Sequence, residues 1–481
     1  MIVSLARLVL QQPATKMFPA ILKAIEKTPP VLRNGLRPAH PVRPVRSVRN
    51  LLQKSMSAEI HVAEFHGQTE KPRLQFAWKG DMRTRTRRGF LQSTAIAAAI
   101  AGKPAPAVPR AEGDSIPAQP EVYRRLGIRP VINGVGVVTR LGGSIMPPEV
   151  VRAMEEASRC FVPIEDLQIK AGERLAELLG IPAALVTAGC ASAITVATAA
   201  CMVGGDISRL SQLPDTTGLK NEVIQLRAHP NEYEAQIRLV GAKIVYVENR
   251  QELDRAINER TAMLFFLNTR DPDAPIRREE WIRVGKERSV YTFNDAASDV
   301  PPASHLSEYV RLGFDLVGIS GGKALLGPQC SGLLLGRKDL VEAARNAISP
   351  HAGIGRGMKV GKEEIIGLLA AVERYLKVDH AAEQREMEAR VQYIIHALAN
   401  VKHVKASLYI PEIENHVPHV TIEWDEAVRK RTSQDVMDAL LRGDPSIAVS
   451  RMGAGILRVS VWMMRGNDHK TVARRLQETL G

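Results

Sequence analysis

Cysteine is scarce in this chain, and none of it is paired by spacing. The 481 residues include four cysteines, Cys160, Cys190, Cys201 and Cys330. None stands in a C-x-x-C pair or at a zinc-type offset from histidine, so a structural zinc module is excluded and free thiols in or near a core are expected. The twelve histidines offer no better metal site. The nearest pair, His416 and His419 in "HVPHVTIEW", reads as part of a strand, where a three-residue offset sends side chains to opposite faces. A basic binding face is also missing. The formal charge is +13, but residues 1–110 hold 19 Lys plus Arg against 5 Asp plus Glu, leaving 46 against 47 for residues 111–481. The body is therefore near neutral, and a nucleic-acid partner, which needs clustered cations to displace phosphate counterions, is not expected. What remains is 45% hydrophobic and 24% charged residues, ordinary for a globular enzyme of two or three domains.

The basic surplus sits with a targeting pattern. "MRTRTRRGFLQSTAIAAAIAGKPAPAVPRA" (82–111) has a basic start, twin arginines at Arg87 and Arg88, the apolar run "AIAAAIA" and a small-x-small site at Ala105–Ala107. The stretch resembles a twin-arginine export signal, with "TRRGFL" matching the whole core pattern. Its apolar run is too short to be a stable membrane anchor. Residues 1–81, rich in Arg and Pro, lack sustained periodicity. The expectation is that translation starts at Met82, that 1–81 is a mis-set start, and that 82–110 directs a periplasmic or exported protein. With a start upstream, the protein is expected in the cytoplasm.

From residue 147 the pattern alternates between helical and strand periods, the signature of an α/β domain with a mostly parallel sheet. "PPEVVRAMEEASR" opens a helix on proline. "IEDLQIKAGERLAELLGI" puts Leu167, Ala171, Leu175 and Leu178 on one helical face. The strand candidates are "AALVTAG", "EVIQL", "AKIVYV", "AMLFFL", "SVYTFND" and "FDLVGIS". Beyond residue 360 come one long helix or two, the strands "HVPHVTIEW", "SIAVS" and "GILRVSVWM", and a final helix. We divide the body into an N-terminal segment (111–150), a large domain (151–355) and a small C-terminal α/β domain (356–481).

Within the large domain, "GISGGKALLGPQCSG" (318–332) places Lys323 after an apolar strand and a glycine pair. A nucleotide-type phosphate loop is excluded, because the glycine spacing is one residue short and Ala324 stands where a hydroxyl is required. A Schiff-base lysine fits better, since it needs an accessible amine at the end of a rigid element. Two companions support it. "SVYTFND" delivers Asp295 to the carboxyl end of a strand, the edge where open α/β sheets hold ligands. "VTAGCAS" turns at Gly189 into a helix N-terminus suited to phosphate. Amine, carboxylate and phosphate site together are what pyridoxal 5'-phosphate (PLP) requires.

Nearly all of residues 121–481 resembles the selenocysteine synthase-like group of fold-type I PLP enzymes, which includes L-seryl-tRNA(Sec) selenium transferase and the D-glucosaminate-6-phosphate ammonia-lyase type. The matching stretches are "RPVINGVGVVTRLGGSIMPPEV", "KAGERLAELLGIPAALVTAGCASAITVATAACM", "KNEVIQLRAHPNEYEAQIRLVGAKIV", "SGGKALLGPQCSGLLLGRKDLV" and "GRGMKVGKEEIIGLLAAVERY". The resemblance implies Lys323 as Schiff-base lysine, Asp295 as partner of the pyridine nitrogen, and the backbone of Gly189, Cys190 and Ala191, with Ser320 nearby, as phosphate site. It leaves His229 either at the ring and substrate or in a polar loop. Arg356 and Arg458 become candidates for gripping a substrate carboxylate, with surface ion pairing as the alternative. The implied function is β-elimination or β-replacement on a small amino acid or 2-amino sugar acid, in a homodimer or larger homo-oligomer. Racemase, aldolase or aminotransferase chemistry uses the same groups. A tRNA-dependent selenium transferase conflicts with the neutral body and with export, and a non-catalytic exported binding protein is the alternative of another class.

Overall fold

The computed structural model describes residues 120–204 and 206–481, all within a compact unit running from Ala107 to Gly481. The twin-arginine stretch and residues 1–81 lie outside the described residues. Twelve strands among the described residues build two sheets. They are β1 (Ile132–Gly134), β2 (Ala183–Thr187), β3 (Glu222–Leu226), β4 (Lys243–Val247), β5 (Thr261–Leu267), β6 (Tyr291–Asp295), β7 (Leu316–Ser320), β8 (Gly332–Gly336), β9 (Val404–Tyr409), β10 (His419–Trp424), β11 (Ile447–Gly453) and β12 (Ile456–Ser460).

The seven-stranded sheet has the order β2-β8-β7-β6-β5-β3-β4. Only β8 runs against its neighbours, pairing antiparallel with both β2 and β7. Its strands are apolar on both faces because helices cover both sides, the usual state of a mostly parallel sheet. On one face Phe265, Phe293 and Leu334 pack with the Cys190–Val203 helix; on the other Phe266, Trp281 and Tyr309 anchor a second core. The Cys190–Val203 helix is made of small residues and is buried nearly all round, so it can lie between sheet and outer helix Lys338–Ala347. The helix Ile164–Leu179 buries Ala171, Leu175 and Leu179, with Leu178 only partly covered. The buried stripe thus follows the i, i+4 step from Leu175 to Leu179 instead of Leu178.

The second sheet has the order β1-β11-β12-β10-β9 and carries helices His380–Leu398, Ser433–Arg442 and Asp468–Leu480 against one face. Strand β1 pairs parallel with β11, Ile132 opposite Ile447, so the segment before residue 150 completes the C-terminal sheet. The long helical stretch is two helices, Lys362–Tyr375 and His380–Leu398, and Asp379 caps the second by accepting from Ala382 N at 2.9 Å. Strand β10 starts at His419, three residues after the His416 that opens the sequence pattern, because Pro418 has no N–H for the ladder. No described helix is long and apolar enough to cross a membrane.

Candidate functional site

Three carboxyl-end features of the large sheet meet at one place. Strand β2 ends at Thr187, and Gly189 enters the helix with φ +86°, a conformation that disfavours a side chain. Behind it, a Cβ at Gly332 of β8 would lie 2.5 Å from the Gly189 carbonyl carbon and 2.8 Å from the Cys190 nitrogen. The helix start is thus backed directly by sheet backbone. The first-turn N–H groups of Cys190, Ala191 and Ser192 have no intrahelical acceptor, and the buried Ser192 hydroxyl has no partner either.

Asp295 closes β6 and is buried. Its carboxylate accepts from Ala297 N at 3.2 Å and from the Cys190 thiol at 3.6 Å. Burial raises its pKa above the usual carboxylate value, against the opposing pull of the Ala297 N–H, Lys323 and the thiol. Burial, with Asp295 beside it, also pushes the Cys190 thiol well up, so it stays protonated and donates. Lys323 lies just beyond β7, the neighbour of β6, and its Nζ donates to Ser298 Oγ. The glycine turn before it is held from the N-terminal segment, where Ser144 Oγ donates to Gly322 O at 3.1 Å.

Beneath Ser298 runs a buried polar network. Asn268 Nδ2 donates to Asp299 Oδ2 and lies 3.0 Å from Tyr309 Oη, while His305 Nδ1 is 2.7 Å from Asp299 O. Burial pushes the Asp299 carboxyl up to about 7, with nearby Asp295 and Glu414 adding to the rise.

The remaining predicted residues fall in different places. His229 is fully buried, not in a polar loop: its ring meets Phe266 edge-on at 4.7 Å, and Leu267 N donates to Nδ1 at 3.4 Å. Burial lowers its pKa to about 4, so it is a neutral imidazole, and its Nε2 is buried without a partner. Ser320 ends β7 opposite Gly332, its N–H donating to Ala297 O at 3.3 Å. Arg356 is exposed and donates to Ser349 Oγ at 2.7 Å. Arg458 lies in β12 with its guanidinium 3.8 Å from the Tyr409 ring centre and its Nε buried without a partner.

Four residues escaped the sequence patterns. Ser192 and Ser298 are hydroxyls whose orientation only the fold reveals. Asp299 followed Asp295 in "DAASD" and carried no spacing signal of its own. Tyr233 sits four residues after His229 with its ring exposed; burial raises its pKa first, and Asp295, Glu232, Cys190 and Glu414 raise it further.

Comparison with known proteins now adds identity. The family model described as SelA, L-seryl-tRNA selenium transferase, matches residues 131–419. The chain belongs to this family. D-glucosaminate-6-phosphate ammonia lyase of Salmonella typhimurium is 32% identical over 373 residues, covering 75% of this chain and 98% of that protein. The 5'-C-glycyluridine monooxygenase-decarboxylase of a Streptomyces species is also 32% identical over 373 residues, covering 74% and 92%. A solved structure of D-glucosaminate-6-phosphate ammonia-lyase superposes with TM-score 0.66 at 28% identity, covering 76% of this chain and 99% of that one.

This SelA-family chain is therefore a fold-type I enzyme, and the family implies PLP as its cofactor. The residues present fit that group. An orphaned Ser192 hydroxyl at a helix start with open space beside Gly189 suits a phosphate. A buried carboxylate and a lysine on adjacent strand ends suit a ring nitrogen and an aldehyde carbon.

Proposed function

We propose that this enzyme acts at Cα and Cβ of a small amino acid or 2-amino sugar acid, eliminating or exchanging a β-substituent. The observation that carries this is the convergence of the Lys323–Ser298 pair, the buried Asp295–Cys190 pair and the Ser192 helix start at one sheet edge. PLP, when bound, holds the substrate amine and stores the electrons released at Cα.

In this proposal Lys323 would hold the cofactor, and its amine is the base placed to take a Cα proton. Ser298 orients the amine through its hydrogen bond. Asp295, whose carboxylate accepts from the Ala297 N–H and the Cys190 thiol, would hold a proton at the ring nitrogen. Ser192 and the N–H groups of Gly189, Cys190 and Ala191, with Ser320 close by, bind the phosphate. Neutral His229 supports the cleft from below, and the Tyr233 phenol covers it. Arg458 grips the substrate carboxylate; Arg356, exposed and bonded to Ser349, is the second candidate for that role.

Two relatives at equal identity carry different reaction names, an ammonia lyase and a monooxygenase-decarboxylase. Family membership therefore supports the pocket, while the Cα bond that breaks is part of the proposal. Product analysis on serine-like and 2-amino sugar acid substrates tests it. Release of ammonia and a 2-keto product supports elimination; racemised or transaminated products refute it. We also propose export by the twin-arginine route from a start at Met82 and assembly as a homodimer or larger homo-oligomer. N-terminal sequencing of the native protein and its mass in solution check these two points.

A further inference from the structure

The loop between β9 and β10 brings a carboxylate to the cleft at a conformational cost. Glu414 and Asn415 both adopt left-handed backbone angles, φ 63° and 48°. Successive non-glycine residues in that region are unfavourable, and such strain persists where surrounding structure enforces it. Here Asn415 N donates to Ser298 O at 2.8 Å. Ser298 is also the residue whose hydroxyl holds Lys323. The small-domain loop is thus latched to the backbone of the lysine's own partner.

The latch sets Glu414 in an acidic neighbourhood. Its half-buried carboxylate makes no hydrogen bond or ion pair with any described residue, yet it acts on Asp295, Asp299 and Tyr233 together, raising the pKa of each. The bond from its neighbour Asn415 to Ser298 sets this carboxylate beside the Lys323–Ser298 pair. Asp299 adds a second unsatisfied acceptor, its Oδ1 buried without a partner. A strained, unpaired carboxylate beside two others is unfavourable for folding alone. It becomes favourable when a ligand brings hydrogen-bond donors.

We infer that Glu414 is a specificity-determining residue of the proposed site, which selects substrates whose tail beyond Cβ carries hydroxyl or amino donors and rejects tails carrying phosphate. The inference rests on the proposed cofactor site and names the substrate class for it. Glu414 accepts from donors on the tail and repels a dianionic tail, so discrimination comes from an attractive and a repulsive element together. A phosphate carries about −1.5 to −2 charges at neutral pH. At a few ångströms' separation in a partly screened cleft, each unit of charge is worth roughly a tenfold change in affinity.

The test uses the full-length, PLP-loaded protein and two non-reactive probes, D-gluconate and 6-phospho-D-gluconate. Affinities are read from perturbation of the cofactor absorption band, with calorimetry as a second readout. Wild type is expected to bind D-gluconate at least tenfold more tightly than its phosphate. In Glu414→Gln that ratio is expected to collapse to within about threefold, chiefly through tighter binding of the phosphate. Glu414→Asp, which keeps the charge, retains most of the ratio. An unchanged ratio in Glu414→Gln, a wild-type preference for the phosphate, or binding of neither probe to loaded wild type overturns the inference. Failure of the protein to take up PLP at all is seen in the same spectrum before any probe is added, and refutes the proposed function on separate grounds.

Discussion

A single methyl group at Gly332 tests how the phosphate site is built. Gly332 lies in β8, and an added Cβ would stand 2.5 Å from the Gly189 carbonyl carbon, 2.8 Å from the Cys190 nitrogen and 2.9 Å from the Gly189 Cα. Ordinary van der Waals contact begins near 3.4 Å, so about 1 Å of movement is required. The opposing atoms are all backbone, and none is the end of a flexible side chain that can swing away. Overpacking of this kind costs about 1–3 kcal/mol. The strain falls on the turn that aims the Cys190, Ala191 and Ser192 N–H groups, so part of it appears as lost cofactor affinity. At 1.4 kcal/mol per decade, Gly332→Ala is expected to weaken PLP binding about 10- to 100-fold. Titration of the apoenzyme followed by cofactor absorbance measures this, with thermal melting alongside. Gly357→Ala, where a Cβ meets nothing within 4 Å, serves as the control. If Gly332→Ala binds PLP as tightly as wild type and melts at the same temperature, the helix start is not braced by β8 and the reasoning fails.

Other outcomes follow from the same geometry. Asp295→Asn is expected to leave the fold intact, since burial already penalises the charge, and to lower kcat by at least about 100-fold; an unchanged kcat removes Asp295 from the mechanism. Asp299 has its folded pKa raised to about 7 by burial, against roughly 3.9 when unfolded. Its native form therefore holds a proton that the unfolded chain has lost, so this contribution is fully present below about pH 4 and disappears as pH rises through 7. Asp299→Asn should gain several degrees in melting temperature relative to wild type between pH 5 and pH 8, and parallel melting curves contradict that assignment. His229 has the opposite sign: burial lowers it to about 4, so acid below its unfolded value of roughly 6.5 costs stability that His229→Phe regains. Arg458→Gln should raise KM about 10- to 100-fold with little change in kcat, as loss of uniform carboxylate binding does, whereas Arg356→Gln should change KM less because its guanidinium is already held by Ser349.

Much of the architecture was legible from periodicity. Strands β2 to β7 stand out as short apolar runs, since both faces of the large sheet are buried and each strand needs little else. Strand β8 was hidden, because "SGLLLG" is bounded by the glycines that its close packing demands and so looks like the tail of a loop. Strand β1 is three residues long and pairs with β11 more than 300 positions away, a contact no local pattern can signal. Of the site, Lys323, Asp295 and the Gly189 turn were legible because strand ends fix where backbone and charge arrive. Ser298, Tyr233 and Glu414 were not, since each lies in a loop whose direction is set by tertiary contacts. His229 of "RAHPNEY" read equally as a ring or substrate contact and as a polar-loop residue, and packing buries it against Phe266 while Tyr233 stays exposed.

The attachment of PLP to Lys323 is the claim on which the rest stands, and reduction with borohydride followed by peptide mapping tests it most directly. Wild type incubated with PLP should show a band near the visible edge, and reduction should leave a pyridoxyl group on the Lys323 peptide. Lys323→Ala should bind PLP without becoming labelled. A colourless wild-type protein, or a label carried by a different lysine, would contradict the account.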